Sequence, residues 1–309
     1  MWESGLIELK DGIYGYVQQG GSWFIGNCGL IIGKEYNIVV DSLSNEPMIK
    51  PFLDAMKKVT DRPARYLVNT HLHADHVWTN HYFMDAVAIA HENCRASVIE
   101  EEKHGVKELF SKLMTTMDFS SSEFTPQKMT FSDRLTLFQD SMEVRLIHQP
   151  NAHTVSDVIV HLPDEKIVYT GDLLFAAPCT PFAMMGSLTG YIEALDYLKS
   201  LNAEVYVPGH GPLSYGTEAL EVAKKYLKFV QDSARKLYDD GITDYLKAAL
   251  EVDLGEYGEW SDKERIIGNM ARAYSEIRGE PRGVPLPDTN GIFELMLSHR
   301  GTLSSAGKK

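Results

Sequence analysis

His71-Leu72-His73-Ala74-Asp75-His76 puts three imidazoles and one carboxylate into six consecutive residues. In an extended segment the side chains at i and i+2 share a face, so His71 and His73 can address one ion while Asp75 and His76, one bend later, reach a second. A purely structural role would crowd these groups together with no charge to gather around. A helix is the wrong support for such a cluster, because helical metal motifs align their ligands one turn apart. The preceding Arg65-Tyr66-Leu67-Val68-Asn69 reads as a buried strand ending at Thr70, which sets the cluster on a strand-to-loop edge.

Further ligands are expected at later strand ends. Ile147 to Thr154 closes a strand and opens a polar turn that contains His153. Glu165 to Asp172 is a short strand whose polar end delivers Gly171 and Asp172. A carboxylate has two oxygens and can hold two cations together, so Asp172 is the candidate bridge. Glu204 to Val207 is a strand ended by Pro208-Gly209-His210-Gly211-Pro212, and His210 completes the set. His81, His91, His104, His148, His161 and His299 stand outside any such pattern and receive no role.

The pieces occur in order: His-x-His-x-Asp-His, then His153 77 positions after His76, Asp172 19 later and His210 38 after that. This arrangement resembles the metallo-β-lactamase superfamily over roughly residues 5 to 215. The resemblance implies that His71, His73 and His153 hold a first metal and Asp75, His76 and His210 a second, with Asp172 bridging them. It also matches Asp41, after the strand Asn37 to Val40, to an aspartate beneath the metal loop that orients ligands without binding metal. The implied cofactors are two Zn2+, with Mn2+ or Fe2+ as alternatives. The implied fold is α/β (α+β), a four-layer αββα sandwich with an added C-terminal helical region.

With 309 residues, 34.7 kDa and 44% hydrophobic content, the chain can bury a substantial core. No run of 18 apolar residues and no basic, apolar leader is present, so neither a membrane partner nor a secretion signal is expected, and a cytoplasmic location follows by default. Three cysteines, Cys28, Cys94 and Cys179, cannot all pair and read as reduced. The net charge of −13 argues against nucleic acid as a partner, because a surface that tracks phosphates carries clustered lysine and arginine. A small-molecule substrate remains.

Residues 6 to 41 read as antiparallel strands separated by glycine turns, and Asn45 to Val59 as an amphipathic helix. The domain reading is a catalytic unit over 1–213 and a helical extension over 214–309 packed on it. Its helices are expected at Glu218 to Asp239, Ile242 to Leu250, Ser261 to Arg278 and Asp288 to Ser298, with a loose tail from Gly301. In the resembled family such a piece shapes the substrate cleft or an interface between copies, which makes a homo-oligomer one expected arrangement. Cys94 to Met129 is largely helical in pattern, and Met114, Met117 and Phe119 are candidates for a pocket wall or lid. Core packing is their alternative.

Two cations about 3.5 to 4 Å apart lower the pKa of a shared water toward neutrality. The expected activity is therefore a dinuclear metal-dependent hydrolase whose bridging hydroxide attacks an ester, thioester, lactone or amide, with Asp75 as the catalytic proton carrier. Trp23, Phe24, Phe175, Cys179, Phe182 and Met185 are the expected pocket residues and favour an apolar or aromatic substrate, with sandwich-edge packing as the alternative. Phe175 stands where acyl-homoserine lactonases of the family carry a tyrosine, and the acidic Glu251 to Glu259 offers no grip for a glutathione thioester. A hydrolytic dehalogenase of an activated aryl compound and an iron-dependent sulfur dioxygenase are the alternatives. The latter typically needs only one iron with two histidines and a carboxylate.

Overall fold

The alternation of buried positions shows how the strands stack. In a computed structural model, which describes residues 1–301 and Leu303, Ile38 and Val40 join one apolar cluster while Val39 joins another. Val158, Val160 and Leu162 point one way and Ile159 the other, and Val205 and Val207 oppose Tyr206. Period-two alternation with both faces apolar means that each sheet is covered on both sides, and a one-residue slip would exchange the two faces.

Among the described residues the first sheet runs in the order β1 (Gly5–Lys10), β2 (Ile13–Val17), β3 (Cys28–Ile32), β4 (Asn37–Val40), β5 (Ala64–Val68), β6 (Val87–His91) and β7 (Met129–Phe131). It is antiparallel up to β4 and parallel from β4 onward. The second sheet holds β8 (Arg134–Gln139), β9 (Met142–His148), β10 (Val158–Leu162), β11 (Ile167–Phe175), β12 (Val205–His210) and β13 (Ser214–Tyr215) in that spatial sequence, with β11 and β12 its parallel pair. Ile38, Val40 and Val68 of the first sheet meet Val160, Tyr169 and Val207 of the second in the central core.

Helix α1 (Glu46–Val59) covers the outer face of the first sheet through Ile49, Phe52 and Met56, which recur at helical spacing. The Asn45 side chain accepts the Met48 N–H at 3.2 Å and sets the start of the helix; Lys57 and Lys58 sit in its last turn. Helices α2 (Ala74–Val77), α3 (Glu92–Lys103) and α4 (Val106–Leu113) follow β5 and β6, and α5 (Leu188–Ser200) connects β11 to β12. The outer face of the second sheet is covered by α5 and α6 (Glu218–Asp239), so the layers run helix, sheet, sheet, helix: an α/β sandwich with C-terminal helices.

The remaining helices are α7 (Tyr245–Glu251), α8 (Arg265–Ile277) and α9 (Thr289–Ser298). Every residue of α8 from Arg265 to Ser275 is buried, and Ile266, Met270 and Tyr274 share one apolar cluster with Leu173 of β11. The core is thus continuous across position 213. The tail expected from Gly301 lies outside the described residues, apart from Gly301 and Leu303 themselves. Met114 and Phe119 are buried in the apolar cluster and Met117 packs partly buried against it; none of the three lines the cavity bordered by Trp23, Phe24 and Phe175. No described helix is long and apolar enough to cross a membrane.

Candidate metal centre

Four strands, with the segments that follow two of them, deliver seven side chains to one place. The loop after β5 carries His71 and His73, and the chain then turns into α2, whose first residues include Asp75 and His76. The expected strand-to-loop edge thus holds for the first two histidines only. The next two groups stand on a one-turn helix started by His73, whose carbonyl accepts the His76 N–H at 2.9 Å. His153 comes from the β9–β10 turn, Asp172 from within β11, and His210 from the end of β12.

The ligand atoms converge as two groups, His71/His73/His153/Asp172 and Asp75/His76/His210, each lying within 4.8 Å. His73 Nδ1 is 3.1 Å from His71 Nε2 and 2.9 Å from His153 Nε2. The Asp172 carboxylate stands between the groups: Oδ2 is 3.3 Å from both His153 Nε2 and His210 Nε2, and Oδ1 is 3.1 Å from His76 Nε2. His210 Nε2 also lies 3.2 Å from Asp75 Oδ2. Gly209 makes this approach feasible, since a Cβ there would fall 1.9 Å from Asp172 Oδ1.

The far side of most of these imidazoles is held by the protein. Asp41 sits in the left-handed region (φ 62°) just after β4, a conformation that aspartate tolerates. Its carboxylate accepts from the Thr70 N–H and hydroxyl at 2.7 Å each and from His76 Nδ1 at 2.8 Å. Thr70 Oγ1 in turn lies 3.1 Å from His71 Nδ1. His153 Nδ1 donates to the Phe182 carbonyl at 2.5 Å and His210 Nδ1 to the Gly21 carbonyl at 3.2 Å. With Nδ1 committed as a donor, Nε2 is the atom that His76, His153 and His210 turn to the centre. His73 is turned round: Nδ1 faces inward and Nε2 lies 3.1 Å from Met185 Sδ. Asp157 orders the turn around His153 by accepting the Thr154 N–H and hydroxyl, and burial pushes its carboxyl up to about 8.

Electrostatics divide the two groups. Burial, with the neighbouring imidazole of His153, pushes His73 down to about 3; burial pushes His153 down to about 4. Both are neutral donors at pH 7. Burial opposes charge on His210, but Asp172 and Asp75 outweigh it and raise the imidazole to about 9. His76 is raised in the same way by Asp172, Asp41 and Asp75. Against the pull of burial, His76 and His210 hold Asp75 at about 2. The second group, with its own Asp75 and with Asp172 and Asp41 against it, is therefore surrounded by carboxylates and favours positive charge.

His76 Nε2 and Asp172 Oδ1 are fully buried and face each other at 3.1 Å without a well-aligned hydrogen bond to any partner. A buried nitrogen and oxygen left without an aligned hydrogen bond cost free energy, and a divalent cation seated between them suits both atoms. The donor set, imidazole nitrogen with carboxylate oxygen, fits zinc-type ions.

The groups form the floor of a cavity of about 580 Å³. Trp23, Phe24, Phe175, Phe182 and Met185 line it, as do Leu72, Trp78, Phe110 and Phe293, which the sequence had not indicated. Glu100, Glu101 and His104 of the α3 region, with Asp288 and Asn290, add polar groups to its lining. Cys179 corrects the expected pocket list. It is 0% exposed and lies behind the wall, because the Pro178 carbonyl accepts the Ser261 N–H at 2.9 Å and turns its segment toward the start of α8. Arg265 lines the cavity with its charge already matched: Asp262 is 3.3 Å away, and the rings of Trp23 and Phe175 lie 4.5 and 4.9 Å from the guanidinium carbon. The floor chemistry was legible in spacing; Thr70, the Phe182 carbonyl and the contributions of α4, α8 and α9 carried no comparable signal.

A sequence profile described as the metallo-beta-lactamase superfamily matches residues 21–210. A beta-lactamase-like protein 2 homolog from Caenorhabditis elegans is 26% identical over 179 residues, covering 57% of this chain and 52% of its own. A metallo-beta-lactamase type 2 from Bacteroides fragilis is 23% identical over 240 residues, covering 75% of this chain and 88% of its own. The solved structure of a stereoselective inverting sec-alkylsulfatase, Pisa1 from Pseudomonas sp., superposes with a TM-score of 0.68 at 16% identity, over 88% of this chain and 50% of that one. The chain thus spans about half the length of the worm relative and of the alkylsulfatase.

Proposed function

Because this chain belongs to the metallo-β-lactamase superfamily, we propose that it is a dinuclear metal-dependent hydrolase of an apolar or aromatic ester, thioester, lactone or amide. The observation that carries this reading is the pair of ligand groups sharing Asp172 at the floor of an aromatic cavity. His71, His73 and His153 would hold one ion and Asp75, His76 and His210 the other, with Asp172 between them; zinc suits the donors best. When bound, such ions supply a Lewis acid and a water activated at neutral pH.

The protein's own groups do the rest. Asp41 keeps the His76 Nδ1 proton directed away from the centre. Asp75 both faces the cavity and lies against His210, so its free oxygen is placed to take a proton from the attacking water and return it to the leaving group. The aromatic wall excludes bulk water, which strengthens every electrostatic interaction at the floor.

The experiment is metal analysis of the purified protein beside a screen of chromogenic esters, thioesters and lactones, with oxygen consumption followed in parallel. Two ions per chain and hydrolysis without oxygen uptake are expected. One iron per chain with oxygen uptake on a thiol or persulfide would instead make it a sulfur dioxygenase, a reading the complete second ligand group disfavours. The aromatic lining favours one further substrate class within the same chemistry, an activated aryl halide, which belongs in the screen.

A further inference from the structure

Helix α8 buries Arg265, Asn269 and Arg272 along one stripe, at spacings of four and three residues; its other buried polar side chain, Ser275, lies off that stripe and donates to Glu280. Burying two arginines and an asparagine is costly unless each finds partners, and all three bond the backbone of one segment, Phe175 to Met185, with Asp262, Tyr226 and the Val284 carbonyl as further partners. We infer that this stripe positions the metal centre, with Asn269 as the residue that aims His153. The inference rests on the proposed metal-binding role of these histidines.

Asn269 is 0% exposed and brackets Phe182. Its side-chain oxygen accepts the Ala183 N–H at 2.8 Å, and its amide donates to the Pro181 carbonyl at 2.9 Å. The peptide groups on either side of Phe182 are thereby fixed, and the Phe182 carbonyl is the group that accepts the His153 Nδ1 proton. Arg272 grips the Met184 carbonyl through Nε and Nη2 at 2.9 and 2.8 Å, one residue before the Met185 thioether that faces His73. Arg265 donates to the Thr180 carbonyl at 2.8 Å and lies over the Phe175 ring, which stacks on His210 with centroids 4.7 Å apart and planes within 3°. Three histidines drawn from both ligand groups thus lean on one face of one helix beyond the profile-matched region. If the only task of α8 were to fill space, apolar residues would serve at lower desolvation cost. A polar stripe that reads successive carbonyls of an irregular segment instead fixes backbone orientation.

The test is cobalt and zinc binding to the full chain, measured by competition with a chromophoric chelator, together with the visible spectrum of the Co2+ form. Asn269→Ala is expected to weaken uptake by about 10- to 100-fold and to shift the Co2+ bands. Tyr226→Phe is the control. It removes the hydroxyl that also accepts from Asn269 at 3.1 Å and should lower thermal stability while leaving affinity and spectrum unchanged. If Asn269→Ala does not fold, Arg272→Lys keeps the charge but loses the two-atom grip, and is expected to shift the Co2+ bands. Affinity within twofold of wild type and an unaltered spectrum in whichever variant folds would overturn the inference while leaving the hydrolase reading intact. A wild-type chain that takes up no metal would remove both.

Discussion

The floor and the wall of the cavity are built by different means. Every candidate ligand on the floor lies between His71 and His210, in a strand or in the loop or one-turn helix that follows one, and is an imidazole or a carboxylate. The wall is assembled from a hairpin loop, α4, the segment after β11 and α9, and it uses Phe, Trp and Met, which any core would use. Charge and geometry at the floor decide which reaction is feasible. Shape at the wall decides which molecule reaches it. Substitutions in the two regions should therefore fail differently, the first in turnover and the second in substrate preference.

Metal removal gives the largest expected effect. Chelation should abolish hydrolysis, and re-addition of zinc should restore it. Ion at 100 times its dissociation constant should stabilise the folded chain by about 2.7 kcal/mol, visible as a higher melting temperature than that of the apo protein. Asp172→Ala should match the chelated protein in turnover, since it removes the group shared by both ligand sets. Turnover that survives both treatments would erase the distinction between floor and wall.

Asp41→Asn is the finer probe of the floor. Asparagine tolerates the left-handed backbone at 41 and keeps the size of the side chain, but it removes the negative charge facing His76 Nδ1 and turns one of two accepting oxygens into a donor. A drop of about 10- to 100-fold in metal affinity or activity is expected, readable by chelator competition with little change in fold by circular dichroism. An unchanged affinity would mean that neither the charge on Asp41 nor its second accepting oxygen is needed to hold the loop.

The wall should respond in KM. Phe110 packs edge-to-face on Phe24 and Phe293, with ring centroids 5.0 and 5.2 Å apart. Phe110→Ala should raise KM for the bulkiest aryl esters and spare kcat, at a stability cost of about 1.5 to 3 kcal/mol from lost burial. Equal losses in kcat for every substrate would show that the wall also sets the geometry of the floor, which would extend the reach proposed for α8.

The same contrast explains what could be read from the chain before its structure. The seven floor residues were legible because imidazoles and carboxylates at those spacings have few other reasons to cluster. Helices α1, α6 and α9 were legible because apolar periodicity and capping residues announce them within one or two positions. The Phe182 carbonyl was not, because a backbone acceptor has no sequence signature. Asn269 and Arg272 were hidden in a helical stretch where a polar residue ordinarily means a solvated face. Cys179 misled for the opposite reason: nearness along the chain to Asp172 suggested the cavity, but the turn back toward Ser261 takes it out of the wall. The start of α2 within the metal motif was likewise missed, since four residues are too few to show a period.

Histidines outside the floor give the smallest and most discriminating test. His91 and His148 stack with centroids 3.6 Å apart, and His148 Nδ1 lies 2.9 Å from the Asp157 carbonyl. Burial and the neighbouring His91 push His148 from its ordinary 6.5 down to about 4. Between those two values the unfolded chain binds a proton that the folded chain refuses, so stability falls as pH drops from 6.5 toward 4 and levels off below. His148→Asn keeps a donor near the Asp157 carbonyl and removes the titrating ring. It should flatten that part of the stability profile, measured by urea unfolding of the metal-free protein at a series of pH values, by a few tenths of a kcal/mol after allowance for partial exposure. Metal affinity at pH 7 should not change. A histidine whose loss alters acid stability but not metal uptake, set against floor histidines whose loss alters uptake, would show that position in the sandwich, and not residue type, assigns the role.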